Sequence, residues 1–340
     1  MAQNITVAVD AMGGDNAPGE IVKGSVNAVK NSDRVSVILV GMKDRIDDVL
    51  NGMDYPKDRV SIHDAATVIE TAEHPVEAVR HKKDSSLVQA MMLVKKGEAD
   101  CMISAGNSGA VVVGGQGIVG RVRGIQRPPF ASLIPTKTGV MLLLDCGANV
   151  DARPEHLKQW AKLGTIYMEH VVGVKNPRVG IVNIGAEEEK GNALVKETFP
   201  LLKQMASDGE ISFMGSCEAR DIPAGVCDIA LCDGFVGNVV LKMYEGTAKV
   251  LLKEMKTALL SGLKTKIGAL LIKSSLKETL GKYDASRYGG APILGLKALV
   301  VKMHGSAKAV EVENTIAQCL TFCDQDITGK VNEYISADHS

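Results

Sequence analysis

A chain of 340 residues, 45% hydrophobic and 23% charged, is long enough to bury a large core, as one α/β unit or as two lobes. Its net charge of −1 excludes a general nucleic-acid binder, which would carry a basic balance. Thirty-five glycines against 4% aromatic residues suit an enzyme of many tight strand-to-helix turns better than an aromatic-rich interaction scaffold.

Seven cysteines, at 101, 146, 217, 227, 232, 319 and 323, include no CxxC pair and sit beside apolar residues, which predicts reduced, structural thiols in a reducing cytosol. The N-terminus has no basic region followed by an apolar stretch. No window approaches the roughly 18 uninterrupted apolar residues of a membrane span. Both features predict a soluble, cytoplasmic protein.

Taken in chain order, short β-branched runs predict strands at 5–9, 35–40, 101–104, 140–144, 179–184, 211–214, 229–231 and 299–303. Most are apolar at every position, as strands covered on both faces are. Helical patterns fall between them at 85–96, behind the capping pair Asp84-Ser85, and at 158–170, 191–204 and 307–323. This alternation predicts a mostly parallel sheet with helices on both faces, and residues 1–340 read as a single α/β catalytic unit or a pair of lobes. Residues 238–282 break the rhythm: a helix to about 261, an interruption at Gly262 and a second helix to about 280 predict a protruding arm for dimer or membrane contact.

Six polar, glycine-rich clusters directly follow strands, where ligands bind in open α/β sheets. The first contains Asp10, Gly13, Gly14 and Asp15, and the second Ser104, Gly106, Asn107, Ser108 and Gly109. The third holds Asp145, Asn149 and Asp151, the fourth Asn183, Gly185 and Lys190, the fifth Asp233, Gly237 and Asn238, and the last His304. Each alone is ordinary turn material. Their succession at strand ends predicts backbone N–H groups, Asn and Ser donors converging on a phosphate.

What the sequence lacks narrows the chemistry. It carries no GxxxxGK[ST] loop, no dinucleotide fingerprint after the first strand, no GxSxG elbow and no HExxH or other metal-ligand set among its seven histidines. Neither a metal nor another cofactor is expected, and the strand-end acids read as loop-ordering carboxylates before they read as Mg²⁺ ligands. Lys190 is the sharpest single candidate, either as a point charge on phosphate or as a solvated helix-start charge. Asn238 is placed to donate to a developing oxyanion. His304 is open as an acid, a phosphate donor or a satisfied turn residue.

The arm carries a second signal. Leu259, Leu260, Leu263, Ile267 and Leu270 surround the Gly262 break, and residues 253–282 hold seven lysines against two glutamates. An apolar tip ringed with lysine fits an anionic membrane surface, while a dimer contact with solvated lysines fits equally.

With these clusters in view, the chain resembles the bacterial phosphate acyltransferases of phospholipid synthesis, the PlsX family. The resemblance is carried in order along nearly the whole chain by Val9-Asp-Ala-Met-Gly-Gly-Asp15, His81-Lys-Lys-Asp-Ser-Ser86, Ser104-Ala-Gly-Asn-Ser-Gly109, Arg127-Pro-Pro129, Leu144-Asp-Cys-Gly-Ala-Asn149, Asn183-Ile-Gly185 with Glu188-Glu-Lys-Gly-Asn192, Asp233-Gly-Phe-Val-Gly-Asn238 and Tyr288-Gly-Gly-Ala-Pro292. It implies conversion of long-chain acyl-[acyl carrier protein] and inorganic phosphate to acyl phosphate and free acyl carrier protein. It also implies a homodimer with a fold similar to isopropylmalate dehydrogenase and phosphotransacetylase, peripherally membrane-associated beside a downstream membrane acyltransferase. A short-chain phosphotransacetylase using coenzyme A and an NAD- and metal-dependent dehydrogenase of the same architecture are the alternatives.

Overall fold

The computed structural model describes residues 4–283 and 285–337. Its elements begin with β1 (Ile5–Asp10), α1 (Gly19–Asn31), β2 (Val35–Gly41), α2 (Lys43–Leu50), β3 (Val60–Asp64) and α3 (Pro75–His81). Next come α4 (Ser86–Lys96), β4 (Cys101–Ser104), α5 (Ser108–Gly114), β5 (Ala131–Thr136), β6 (Gly139–Leu144) and α6 (Pro154–Tyr167). They continue through β7 (Arg178–Asn183), α7 (Ala193–Ser207), β8 (Ser212–Glu218), β9 (Ile229–Leu231), α8 (Gly234–Leu260) and α9 (Leu263–Gly281). The chain ends with β10 (Ala291–Pro292), β11 (Leu299–Lys302), α10 (Ala309–Asp324) and α11 (Ile327–Ala337).

The chain forms two compact units: residues 1–132, 162–176 and 286–340 make the first, and residues 133–161 and 177–285 the second. The first is built on a six-stranded sheet in the order β10-β11-β4-β1-β2-β3, parallel except at the β10–β11 edge. Every residue of β4 is buried, and Val7, Val9, Leu39, Ile103 and Val301 are at most 1% exposed, because helices cover both faces of these apolar strands. The local rules agree: the Ser85 side chain accepts from the Val88 amide to cap α4, and Gly97 closes that helix in the left-handed conformation. Gly24 lets α1 lie against α10, since a Cβ there would come within 2.4 Å of the Ala309 carbonyl oxygen.

The second unit carries a five-stranded sheet in the order β5-β6-β9-β7-β8, in which the β6–β9, β9–β7 and β7–β8 pairs are parallel. Met141, Leu143, Trp160, Ile181, Leu202 and Leu231 fill its core. The stretch expected to form two helices contains α8 and α9, separated by Ser261 and Gly262. No helix among the described residues is long and apolar enough to cross a membrane.

Candidate functional site

All six polar clusters lie between a strand and a helix: β1 to α1, β4 to α5, β6 to α6, β7 to α7, β9 to α8 and β11 to α10. The first, second and sixth belong to the first unit and the other three to the second. The expected residues therefore form one cluster at each unit's strand ends.

In the first unit, the parallel register sets Lys302 of β11 beside Ser104 of β4, and Ser104 beside Asp10 of β1. Sheet growth reverses direction between β1 and β4, with β2 and β3 on one side and β11 and β10 on the other. Such a switch point opens a crevice at the carboxyl ends of the strands. There the Ser104 hydroxyl donates to Asp10 Oδ2 at 2.6 Å and accepts from the Gly106 amide at 3.0 Å. Burial raises the Asp10 carboxyl above the usual carboxylate range, against the lowering effect of the Ser104 and Ser86 hydroxyls and the Met12 and Gly13 amides.

Glycine is required where these loops cross. A Cβ on Gly13 would fall 2.6 Å from Asp10 Oδ2 and 2.7 Å from the Gly106 nitrogen. Gly14, at φ +97°, would place one 2.8 Å from the Gly305 carbonyl oxygen. The Asp15 amide donates to Gly305 O at 2.7 Å, and Asn16 Nδ2 to Ser306 O and Ala307 O at 3.0 and 3.1 Å. His304 is an exposed turn residue whose Nδ1 lies 2.8 Å from Ser306 Oγ and whose amide donates to Glu311 Oε1 at 3.0 Å.

Asn107 departs from its expected phosphate contact. Its Oδ1 accepts from the Ala110 amide to cap α5, while Nδ2 faces the carbonyl oxygens of Glu70, Thr71 and Glu73 at 3.0–3.2 Å. The side chain is committed to backbone, because a buried amide surrounded by carbonyls satisfies them first. Ser108, exposed, and Gly109, half-buried, stand at the rim of the same turn.

In the second unit the corresponding asparagines also shape their loops. The Asn149 backbone amide and Nδ2 both donate to Asp145 Oδ2, at 2.7 and 3.0 Å, which makes Asp145 a loop-ordering carboxylate. Asn183 Nδ2 donates to Lys190 O at 3.2 Å and to Ser216 Oγ at 3.0 Å, while its Oδ1 accepts from the Ile184 amide. Asp233 caps α8 by accepting from the Val236 amide at 2.8 Å. Gly237 holds the first turn of that helix against the Asp145 carbonyl, where a Cβ would be only 1.8 Å from the oxygen.

Two side chains at this edge remain available for chemistry. Lys190 is half exposed and ion-paired to Glu187 at 2.7 Å. Glu187 holds the ammonium above its usual range, and Lys190 holds the Glu187 carboxyl below its own. Asn238, half-buried one turn into α8, lies against Gly147, and its amide hydrogen-bonds to none of the described residues. Both of its Nδ2 protons are therefore free for an incoming oxygen. No group of three or more His, Cys, Asp or Glu among the described residues is placed to hold a metal ion.

The residue that sequence reasoning missed is Lys302. It closes a run of buried apolar residues, and its Nζ donates to Ala105 O at 3.3 Å and to Met303 O. A lysine as the last residue of the otherwise apolar strand Leu299-Val-Val-Lys302 was the available signal. In the arm, Leu260, Leu263, Ile267 and Leu270 are exposed, Leu259 is half-buried and α9 buries no residue.

The family described as "Fatty acid synthesis protein" matches residues 5–330. A phosphate acyltransferase of Clostridium novyi is 44% identical over 97% of this chain and 98% of its own length. The phosphate acyltransferase of Clostridium acetobutylicum is 45% identical over the same shares. Among solved structures, phosphotransacetylases from Streptococcus pyogenes and Staphylococcus aureus superpose with TM-scores of 0.61 and 0.58, at 15% and 16% identity. Each pairing covers 94% of this chain, with 93% and 94% of the respective neighbours. That likeness establishes the shared fold.

Proposed function

The chain belongs to the fatty acid synthesis protein family of phosphate acyltransferases, and on that premise we propose that it transfers a long-chain acyl group from acyl carrier protein to inorganic phosphate, releasing acyl phosphate. The observation that carries this reading is the set of six polar loops, every one between a strand and a helix. Such ends suit an anion and donors fixed in place.

The chemistry asks little more. Phosphate is already a nucleophile and a thioester already activated, so the protein must orient the phosphate oxygen toward the carbonyl and stabilise the tetrahedral oxyanion. Collapse of that intermediate breaks the carbon–sulfur bond, and the carrier leaves as a thiolate that takes up a proton. We assign phosphate binding to two candidates, each taken within its own unit: in the first the 104–109 loop, with Ser108 and Gly109 at its rim, and in the second Lys190, whose ion pair keeps it charged. Asn238, with both amide protons free, is assigned to the oxyanion.

The same proposal places the enzyme at an anionic membrane surface through the lysine-ringed tip of α8 and α9, as a homodimer that hands acyl phosphate to a membrane acyltransferase. The exposed apolar residues Leu260, Leu263, Ile267 and Leu270 support the membrane contact. Phe235, Val239 and Met243, exposed at four-residue spacing on α8, support pairing between copies.

The test is hydroxylamine trapping with palmitoyl-acyl carrier protein and phosphate, run beside palmitoyl-coenzyme A to identify the carrier. Acyl hydroxamate that appears with enzyme and phosphate is the expected result. None above the enzyme-free control removes the reading.

A further inference from the structure

Lys302 has no part in the assignments above, yet it stands in the same row of strand ends as Ser104 and Asp10. It is anchored rather than solvated: Nζ donates to the carbonyls of Ala105, in the loop after β4, and Met303, in the loop after β11. Three acidic groups act on it from the surrounding elements, namely Asp10 at the end of β1, Asp15 in the following loop and Glu311 on α10. His304 lies two residues along its own loop and is bonded to Ser306 and Glu311. Carboxylates and carbonyl oxygens at one edge repel a phosphate dianion, and an ammonium held among them supplies the opposing charge.

Resting on phosphate acyl transfer as the reaction, we propose that Lys302 is a positioning residue of the phosphate site. It holds the loops after β4 and β11 by their carbonyls and offsets the carboxylates, so that inorganic phosphate is accepted at this strand-end edge. Lysine suits the task because a compact ammonium has three donors for two carbonyls and one further acceptor.

The geometry has a pH signature. Burial pulls the Lys302 ammonium down to about 8, against the raising effect of Glu311, Asp10 and Asp15. Its charge is therefore present at neutral pH and lost as pH rises through that value.

The deciding experiment is steady-state kinetics of the full-length wild type, Lys302→Met and Lys302→Arg, varying phosphate and acyl thioester separately across neutral to alkaline pH. K302M is expected to raise the KM for phosphate about tenfold, the scale of a lost charge-assisted hydrogen bond. Its KM for the thioester should stay within about twofold. In the wild type the phosphate KM should climb as pH passes about 8, and K302R should carry that climb to higher pH because guanidinium stays charged. An unchanged phosphate KM in K302M overturns the proposal, and so does a wild-type alkaline climb that survives in K302R. Should thermal unfolding show that K302M does not fold, the arginine profile decides alone. Absence of acyl hydroxamate with the wild type sinks the phosphate acyl-transfer reading instead, so the two failures are distinguishable.

Discussion

The two strand-end edges use similar residues in opposite ways. In the first unit, Asp10, Ser104, Asn107 and Lys302 are satisfied by one another and by backbone. In the second, the loop-shaping work of Asp145, Asn149, Asn183 and Asp233 leaves Asn238 without a partner among the described residues and Lys190 half exposed. The first edge is a preorganised surface whose disruption should cost stability. The second presents side chains whose removal should cost rate.

Asn238→Ala and Lys190→Ala test the second half of that contrast and carry the largest expected effects. Each should lower kcat by about 10²–10³, the scale of one lost oxyanion donor or charged contact, while Tm moves little because neither side chain supports a buried network. Full activity in either variant removes that residue from the mechanism. Gly237→Ala should behave differently, since its Cβ meets the backbone oxygen of Asp145 at 1.8 Å and no side-chain rotation relieves it. A loss of about 3 kcal/mol is expected from such overpacking, read by denaturant unfolding. A wild-type midpoint would mean that α8 can shift away from the loop.

Ser104→Ala tests the first half. It removes the hydroxyl donor of a buried carboxylate and should cost about 1–3 kcal/mol. The loss should depend on pH in a defined direction. The Asp10 carboxyl is already raised by burial, and losing the Ser104 donor raises it further. An acid with a raised folded pKa costs no stability below its unfolded value, and the full penalty appears once pH exceeds the folded value. The deficit of Ser104→Ala against wild type should therefore be smallest below about pH 4 and grow as pH rises through the raised folded value of Asp10. A deficit independent of pH would mean that Ser104 acts by packing rather than through Asp10.

This contrast between edges marks how far the residues could be read before folding. The strands at 101–104 and 229–231 were legible to the residue because buried parallel strands are apolar throughout. β3 was not, since Val60-Ser-Ile-His-Asp64 sits at a sheet edge with mixed exposure, and β5 was masked by Pro135 and polar neighbours. The six loops were legible as polar strand ends. Which of their asparagines bind backbone was not, because Asn107 and Asn238 offer the same amide and differ only in what surrounds it. Lys302 was hidden for a related reason: its role depends on register with Ser104 and Asp10, residues about 200 and 290 positions away.

The arm gives the smallest expected effect on the fold and tests whether exposure there has a purpose. Leu263 and Leu270 are 78% and 71% exposed on a helix that buries nothing, so Leu263→Glu with Leu270→Glu should change stability by less than about 0.5 kcal/mol and leave kcat with a water-soluble substrate intact. Each leucine that enters a lipid interface contributes about 1.5–3 kcal/mol. The double variant should therefore lose at least tenfold in cosedimentation with phosphatidylglycerol vesicles. The lysines around the tip make a second demand, that wild-type binding weaken with salt and fall on neutral phosphatidylcholine. Wild-type binding that is indifferent to both the leucines and the lipid charge would sink the membrane reading. If the variant instead changed sedimentation from dimer to monomer without lipid, the same apolar side chains would belong to the contact between copies.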